Sequence, residues 1–247
     1  MGTALTTSAR DTETIGVVEL GTNSLKLHLH TDGGERCEPS RVEWDVGHQI
    51  DSTRGISKET IDGTMEQIGR LLRDHRADPS LDPIFSIATG AFRHAENTSA
   101  LLDRLFRELG IPGRILTAEQ EASLLAEGAG WKIRERPWMV FDLGGGALEL
   151  VHMGANGTLL REDFPLGAIH IYRLGSLSRG VWDHHEAERR IVHTLQKARS
   201  FQLPTIHGTG GTVKAITQVA GRQEVLAEGV RELEERTRTE GPPRGLS

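Results

Sequence analysis

Two segments, Val18-Glu19-Leu20-Gly21-Thr22-Asn23-Ser24 and Phe141-Asp142-Leu143-Gly144-Gly145-Gly146, repeat one design about 120 residues apart. Each is a short apolar run ending in an acid, then glycine and small residues, then a second strand-like run (Leu25–Leu29 and Leu148–Val151). A chain that writes strand, acid, glycine, strand twice is expected to fold as two similar units. The acid at a strand end suits a divalent cation, and the glycines after it let backbone N–H groups turn inward around phosphate oxygens. One acid-x-Gly loop is a common feature. Two, facing a shared cleft, point to a ligand gripped as phosphate and metal from both sides.

The 247 residues suffice for one large domain or two of about 120. A net charge of −6 argues against nucleic acid or a polybasic membrane patch as partner. An anionic substrate therefore needs a locally positive site within an acidic surface. Cys37 is the only cysteine, which excludes an internal disulfide and a four-thiolate zinc site. The polar residues 1–14 carry no apolar signal core, and no run approaches the ~18 apolar residues of a membrane span. The expectation is a cytoplasmic protein.

Hydrophobic spacing predicts a hairpin (15–20 and 25–30), a turn at Asp32-Gly33-Gly34, a third strand at 41–46, and a helix after Ser57 burying Ile61, Met65, Ile68 and Leu72. A buried strand is expected at 83–88, with Ile84, Phe85 and Ile87. A helix from Asn97 or Thr98 should turn Leu101, Leu102, Leu105, Phe106 and Leu109 inward and end at Gly110. After a short strand at 114–116, Thr117-Ala118-Glu119-Gln120 reads as a capping box opening a helix to about Gly128. The second half restarts with strands at 138–141 and 147–153, the hairpin turn Asn156-Gly157, and a strand at 158–164. There follow a helix through Ile169 and Tyr172, a helix capped near Asp183, a strand at 205–207, and a helix from Val213 to about Val219. Leu226, Val230 and Leu233 form a last amphipathic piece, and a mobile tail is expected from Gly241. The boundaries expected are a first lobe at 1–130 and a shorter second lobe at 131–247.

Duplicated β-β-β-α-β-α units with acid-glycine loops resemble the actin-like ATPase superfamily, an α/β (RNase H-like) fold with the active site in the cleft between two lobes. The finer resemblance is to the exopolyphosphatase/guanosine pentaphosphate phosphohydrolase (Ppx/GppA) family, from about Ile15 to Val219. It rests on ordered motifs: Glu19–Ser24, Ala88-Thr89-Gly90-Ala91-Phe92-Arg93, Thr117-Ala118-Glu119-Gln120-Glu121-Ala122, Asp142–Glu149, and Gly208–Ala215, with Pro165-Leu166-Gly167-Ala168 also fitting.

Glu121 falls in the first turn of a helix, where a carboxylate complements the helix dipole without any function, and Glu119 fits that role equally. The resemblance implies more, that Glu121 is the general base activating the attacking water. Asp142 and Glu149, around three consecutive glycines, read as hard oxygen ligands for Mg²⁺ or Mn²⁺. The family resemblance adds Glu19 as the matching acid of the first loop, although the usual residue there is aspartate. It also makes Arg93 a phosphate clamp, in a chain with 24 arginines and 5 lysines where arginine alone signals little. Gly21, Thr22, Asn23 and Ser24, then Gly144, Gly145 and Gly146, then Gly208, Thr209, Gly210, Gly211 and Thr212 are the expected phosphate-binding loops. The last of these opens a helix, and the alternative there is an ordinary strand-to-helix turn. Ala147-Leu148 departs from the family's usual Ser-Thr, removing up to two hydrogen bonds worth about 0.5–1.5 kcal/mol each. No metal role is assigned to the histidines.

The function expected from the resemblance is a Mg²⁺-dependent phosphohydrolase releasing the terminal phosphate of a short polyphosphate or a pppGpp-like nucleotide. The alternatives are a weak or inactive homologue that senses such a ligand, and an actin-like kinase, against which Thr117–Ala122 speaks. The expected partner is a phosphorylated small molecule or short polyphosphate, with neither nucleic acid nor membrane. A homodimer is the assembly that would give longer polymers a joint basic groove.

Overall fold

In the computed structural model, residues 14–31, 40–44, 46–53, 55–75, 81–130, 133, 135–168, 170–171, 183–196, 203, 206–221 and 235 are described. The expectations for Asp32–Gly34, Ile169, Tyr172, Leu226, Val230, Leu233 and the tail lie outside them. The chain divides into two compact units, 1–117 and 118–247.

In the first unit, β1 (Thr14–Leu20), β2 (Ser24–Thr31), β3 (Ser40–Glu43), β4 (Leu81–Ala88) and β5 (Gly113–Ile115) form a sheet ordered β3-β2-β1-β4-β5. β1 pairs antiparallel with β2 and parallel with β4. Strict alternation in β1 puts Val18 and Leu20 on the buried face and Glu19 on the other. On the buried face the strands meet α1 (Val46–Thr53), α2 (Lys58–His75) and α3 (Thr98–Leu109) in one core that includes Leu25, Leu27, Ile68, Leu72, Leu101 and Leu105. Ser57 caps the start of α2, its hydroxyl accepting from the Thr60 N–H at 3.1 Å. Gly110 stops α3 with its N–H on the Phe106 carbonyl at 3.0 Å. Three expectations are corrected. α1 was not foreseen; it starts at Val46, the last residue of the expected third strand, which itself ends at Glu43. Phe85 is 42% exposed, because β4's parity buries Ser86 and Ala88 instead. Phe106 is 59% exposed, since Leu101, Leu102 and Leu105 already fill the inward stripe of α3.

The second unit begins with α4 (Ala118–Gly130) and continues with β6 (Trp138–Leu143), β7 (Leu148–Met153), β8 (Leu159–Phe164), α5 (His184–Leu195), β9 (His207–Thr209) and α6 (Gly211–Ala220). The sheet order β8-β7-β6-β9 repeats that of the first unit with one strand fewer. Ala122 and Ala126 of α4 pack on Trp138, Val140 and Val151, so α4, expected as the last element of the first lobe, shares its core with the second sheet. The domain boundary accordingly falls before this helix and not after it. The Asn156 side chain accepts from the Thr158 N–H at 3.0 Å and organises the β7–β8 turn. Asp183 caps α5 through the Glu186 N–H at 3.1 Å. Among the described residues no helix is long and apolar enough to cross a membrane.

Candidate functional site

Both acid-glycine loops close in the same way. The Gly21 N–H donates to the Ser24 carbonyl and the Gly144 N–H to the Ala147 carbonyl, each at 3.1 Å. This tight turn carries each chain from the acid-bearing strand into its hairpin partner.

In the first unit Thr22 is held from two sides. The Gly47 N–H donates to its carbonyl at 3.1 Å, and its hydroxyl accepts from the Ala91 N–H at 3.1 Å. A Cβ at Gly47 would fall on Thr22 Cγ2, and one at Gly90, whose φ is +53°, on Thr22 Oγ1. The expected phosphate ligand Thr22 is therefore also a fastening between its own loop, the start of α1 and the 3₁₀ turn Gly90–Arg93. Asn23 keeps its side-chain carbonyl oxygen buried with no protein partner, a costly arrangement. Arg93 anchors its Nε on the Leu116 carbonyl at 3.0 Å, which fixes the plane of the guanidinium.

Glu19 differs from the expectation of a metal ligand. One carboxylate oxygen accepts from Lys26 Nζ at 2.9 Å and the other meets His28 Nε2 at 2.8 Å. Burial pushes this carboxyl up, but the His28 hydrogen bond and the neighbouring Lys26 ammonium outweigh that and bring it from 4.5 to about 2. A metal at Glu19 would have to displace both partners.

The second unit carries the acids differently. Asp142 on β6 is the register partner of Glu149 on β7, which is the partner of Asp163 on β8. Thr209 on β9 is the partner of Asp142 on the other side. Register partners share a face, so three carboxylates and a threonine form one row across the sheet, on the face that α4 covers. The sequence reading missed Asp163, because only the β7–β8 register reveals it. Next to the row, Gly210 has φ +93°, and a Cβ there would lie 2.6 Å from Asp142 Oδ1. The backbone that opens α6, whose first turn offers unsatisfied N–H groups, thus lies directly against the acid. Gly208, Thr209, Gly210, Gly211 and Thr212 all belong to this passage from β9 into α6. Gly144, Gly145 and Gly146 form the β6–β7 turn, with the Gly144 carbonyl accepting from the Ala168 N–H at 2.9 Å.

Glu119 and Glu121 stand in the first turn of α4. Arg161 on β8 donates to Glu119 Oε1 at 3.3 Å and pairs with Asp163. The first turn of α4 is thereby tied to the edge of the carboxylate row. Asp142 and Glu149 suit a hard cation, and among the described residues no group of three or more His, Cys, Asp or Glu side chains gathers around a common point.

Residues 41–223, well over half of the chain, match the family model described as the Ppx/GppA phosphatase family. A guanosine-5'-triphosphate,3'-diphosphate pyrophosphatase of Vibrio vulnificus is 23% identical over 87% of the chain, which spans 44% of that relative's length. Among solved structures, the Ppx/GppA family member of Aquifex aeolicus matches with TM-score 0.67 at 20% identity, over 88% of this chain and 73% of that one. An exopolyphosphatase from Cytophaga hutchinsonii matches with TM-score 0.66 at 18% identity, over 87% and 73%. The ethanolamine utilization protein EutJ of Carboxydothermus hydrogenoformans shares the fold more loosely, with TM-score 0.52 at 17% identity, over 84% and 79%. These likenesses establish the actin-like α/β fold, and the family match establishes lineage: the chain belongs to the Ppx/GppA phosphatase family.

Proposed function

We propose that the chain hydrolyses a phosphoanhydride, releasing the terminal phosphate of a short polyphosphate or a pppGpp-like nucleotide with Mg²⁺ or Mn²⁺ as cofactor. The observation that carries this reading is the row Asp142–Glu149 set directly against the Gly210 backbone at the opening of α6. A cation-binding pair of acids and an anion-binding helix terminus in contact are what a metal-bound phosphate requires.

Bound there, Mg²⁺ would offset the charge that builds on the phosphate oxygens as the anhydride breaks. Asp142 and Glu149 would hold it. In the second unit the Gly208–Thr212 backbone and the Gly144–Gly146 turn would receive phosphate oxygens; in the first unit the groups suited to phosphate are the Gly21–Ser24 loop and Arg93, a planar fork. Glu121, in the turn next to the row, would orient a water and take its proton as the water oxygen bonds to phosphorus. Glu19, held by Lys26 and His28, takes no part in metal binding in this account.

The likeness to the Vibrio vulnificus pyrophosphatase supports the nucleotide and the likeness to the exopolyphosphatase supports the polymer. The test is phosphate release from tripolyphosphate, longer polyphosphates, pppGpp and simple phosphate esters, with Mg²⁺, with Mn²⁺ and with EDTA. The expected result is turnover of short anhydrides, lost in EDTA. Tight binding of an anhydride without phosphate release would overturn the hydrolase and favour a sensor.

A further inference from the structure

We propose that Arg161 is a positioning residue, which holds the first turn of α4, and with it Glu121, against the strand that carries the last acid of the carboxylate row. This rests on the hydrolase reading for its catalytic consequence, though the physical tie stands apart from it.

The fully buried residues that attach α4 to its sheet are small, with Leu125 packed beside them only partly buried. Ala122 and Ala126 are its buried side chains, whereas Leu124 points outward and is 53% exposed. An alanine stripe buries little area and interlocks weakly, so it fixes the height of a helix above a sheet better than its slide or rotation. Glu121 must nonetheless be placed closely, since an error near 1 Å in a reacting group can cost about 100-fold in rate. Arg161 supplies the missing constraint. Its side chain is 17% exposed, with one Nη on Glu119 at 3.3 Å and the other on Asp163. Its register partner is Val151, fully buried beneath α4. The guanidinium therefore sits over the edge of the core, with its Nε buried and unpartnered. A planar fork that spans a helix and a strand transmits orientation as well as charge, which a flexible ammonium does less well.

Asp163 gives the same residue a second effect. It stands beside Glu149 in the row, and three adjacent carboxylates repel one another. By pairing with Asp163, Arg161 offsets the charge of the outermost acid of the row.

The experiment compares the unaltered chain with Arg161→Gln, Arg161→Lys, Glu119→Gln and the Arg161→Gln/Glu119→Gln double variant. Two measurements are made on each: amide exchange of Ala122–Leu125, whose N–H groups close the first turn of α4, and kcat and KM for tripolyphosphate with Mg²⁺. The expected result is several-fold faster exchange in that turn for both glutamine variants, with little change in the rest of the second unit. kcat should fall about 10-fold with KM within two-fold, the double variant no worse than Arg161→Gln, and Arg161→Lys between the extremes. Unchanged exchange in Arg161→Gln would overturn the tie. Faster exchange with unchanged kcat would overturn the positioning role. If the unaltered chain turns over no anhydride, the hydrolase reading falls and the catalytic half of this proposal falls with it. Exchange then decides the tie alone.

Discussion

The two acid-glycine loops share a backbone and differ in charge. At Glu19 the residue directly across the hairpin is Lys26, and at the matching place beside Asp142 it is Glu149. The first acid is satisfied from within the protein by Lys26 and His28. The second is one of a row of acids, of which Arg161 pairs with the last. Duplication has therefore given one fold two electrostatic solutions. A carboxylate already paired and hydrogen-bonded in its own sheet works as structure. Adjacent carboxylates in one row repel one another.

The comparison is broken most severely by exchanging its terms. Glu149→Lys would set an ammonium beside Asp142 as Lys26 stands beside Glu19, and phosphate release together with Mn²⁺ binding measured by calorimetry should be lost. Activity that persists in this variant and still needs metal would remove the row as the cation site.

Next in size is the base. Glu121→Gln keeps length and helix but not basicity, and kcat should fall by roughly 10²–10⁴-fold with substrate affinity kept, as read from single-turnover rates and binding. Glu119→Gln, a plausible inert control when only helix position is considered, loses the partner of Arg161 and is expected to fall between Glu121→Gln and the unaltered chain. Inertness would return it to the ordinary helix-end carboxylate.

The first loop should respond in stability and not in chemistry. A carboxyl depressed on folding stabilises above its unfolded value, and that contribution fades as pH falls from 4.5 toward about 2. Glu19→Gln should therefore cost about 3 kcal/mol near neutral pH by urea unfolding, a gap that closes on acidification, with kcat changed less than two-fold. A constant gap from pH 7 to pH 2 would show that packing and not charge is what the substitution removes. The smallest effect expected is from Ala147→Ser, which returns one hydroxyl to the second loop and should tighten phosphate binding by a few-fold at most.

The parts legible in the sequence were those written in local spacing. The acid-glycine loops, the Ser57 and Asp183 caps and the Asn156 turn each occupy a few consecutive residues, and their chemistry is local. What escaped depends on register and on contacts distant in sequence. Asp163 enters the row only because Glu149 pairs with it 14 residues later, and Glu119 acquires meaning from Arg161, 42 residues on. Phe85 and Phe106 misled for a related reason. Hydrophobicity was read as inwardness, whereas strand parity and an already filled helix stripe decided which side chains turned in. The placement of α4 was hidden as well, since an alanine-rich stripe does not announce which sheet it will cover.

Thr22 bears on how such a chain can change. Its methyl and hydroxyl occupy the space that side chains at positions 47 and 90 would need, so these three sites form a single unit of mutational covariation though 25 and 43 residues separate them. A larger residue at 47 needs position 22 to shrink to glycine or alanine, and its Cβ still lies 3.0 Å from the residue-22 carbonyl oxygen, which must give by a few tenths of an ångström. Position 90 carries the further burden of its left-handed backbone. Randomised one at a time, positions 47 and 90 would each return glycine and pass for invariant. Randomised with position 22, they would reveal that what is fixed there is a volume shared by three parts of the chain.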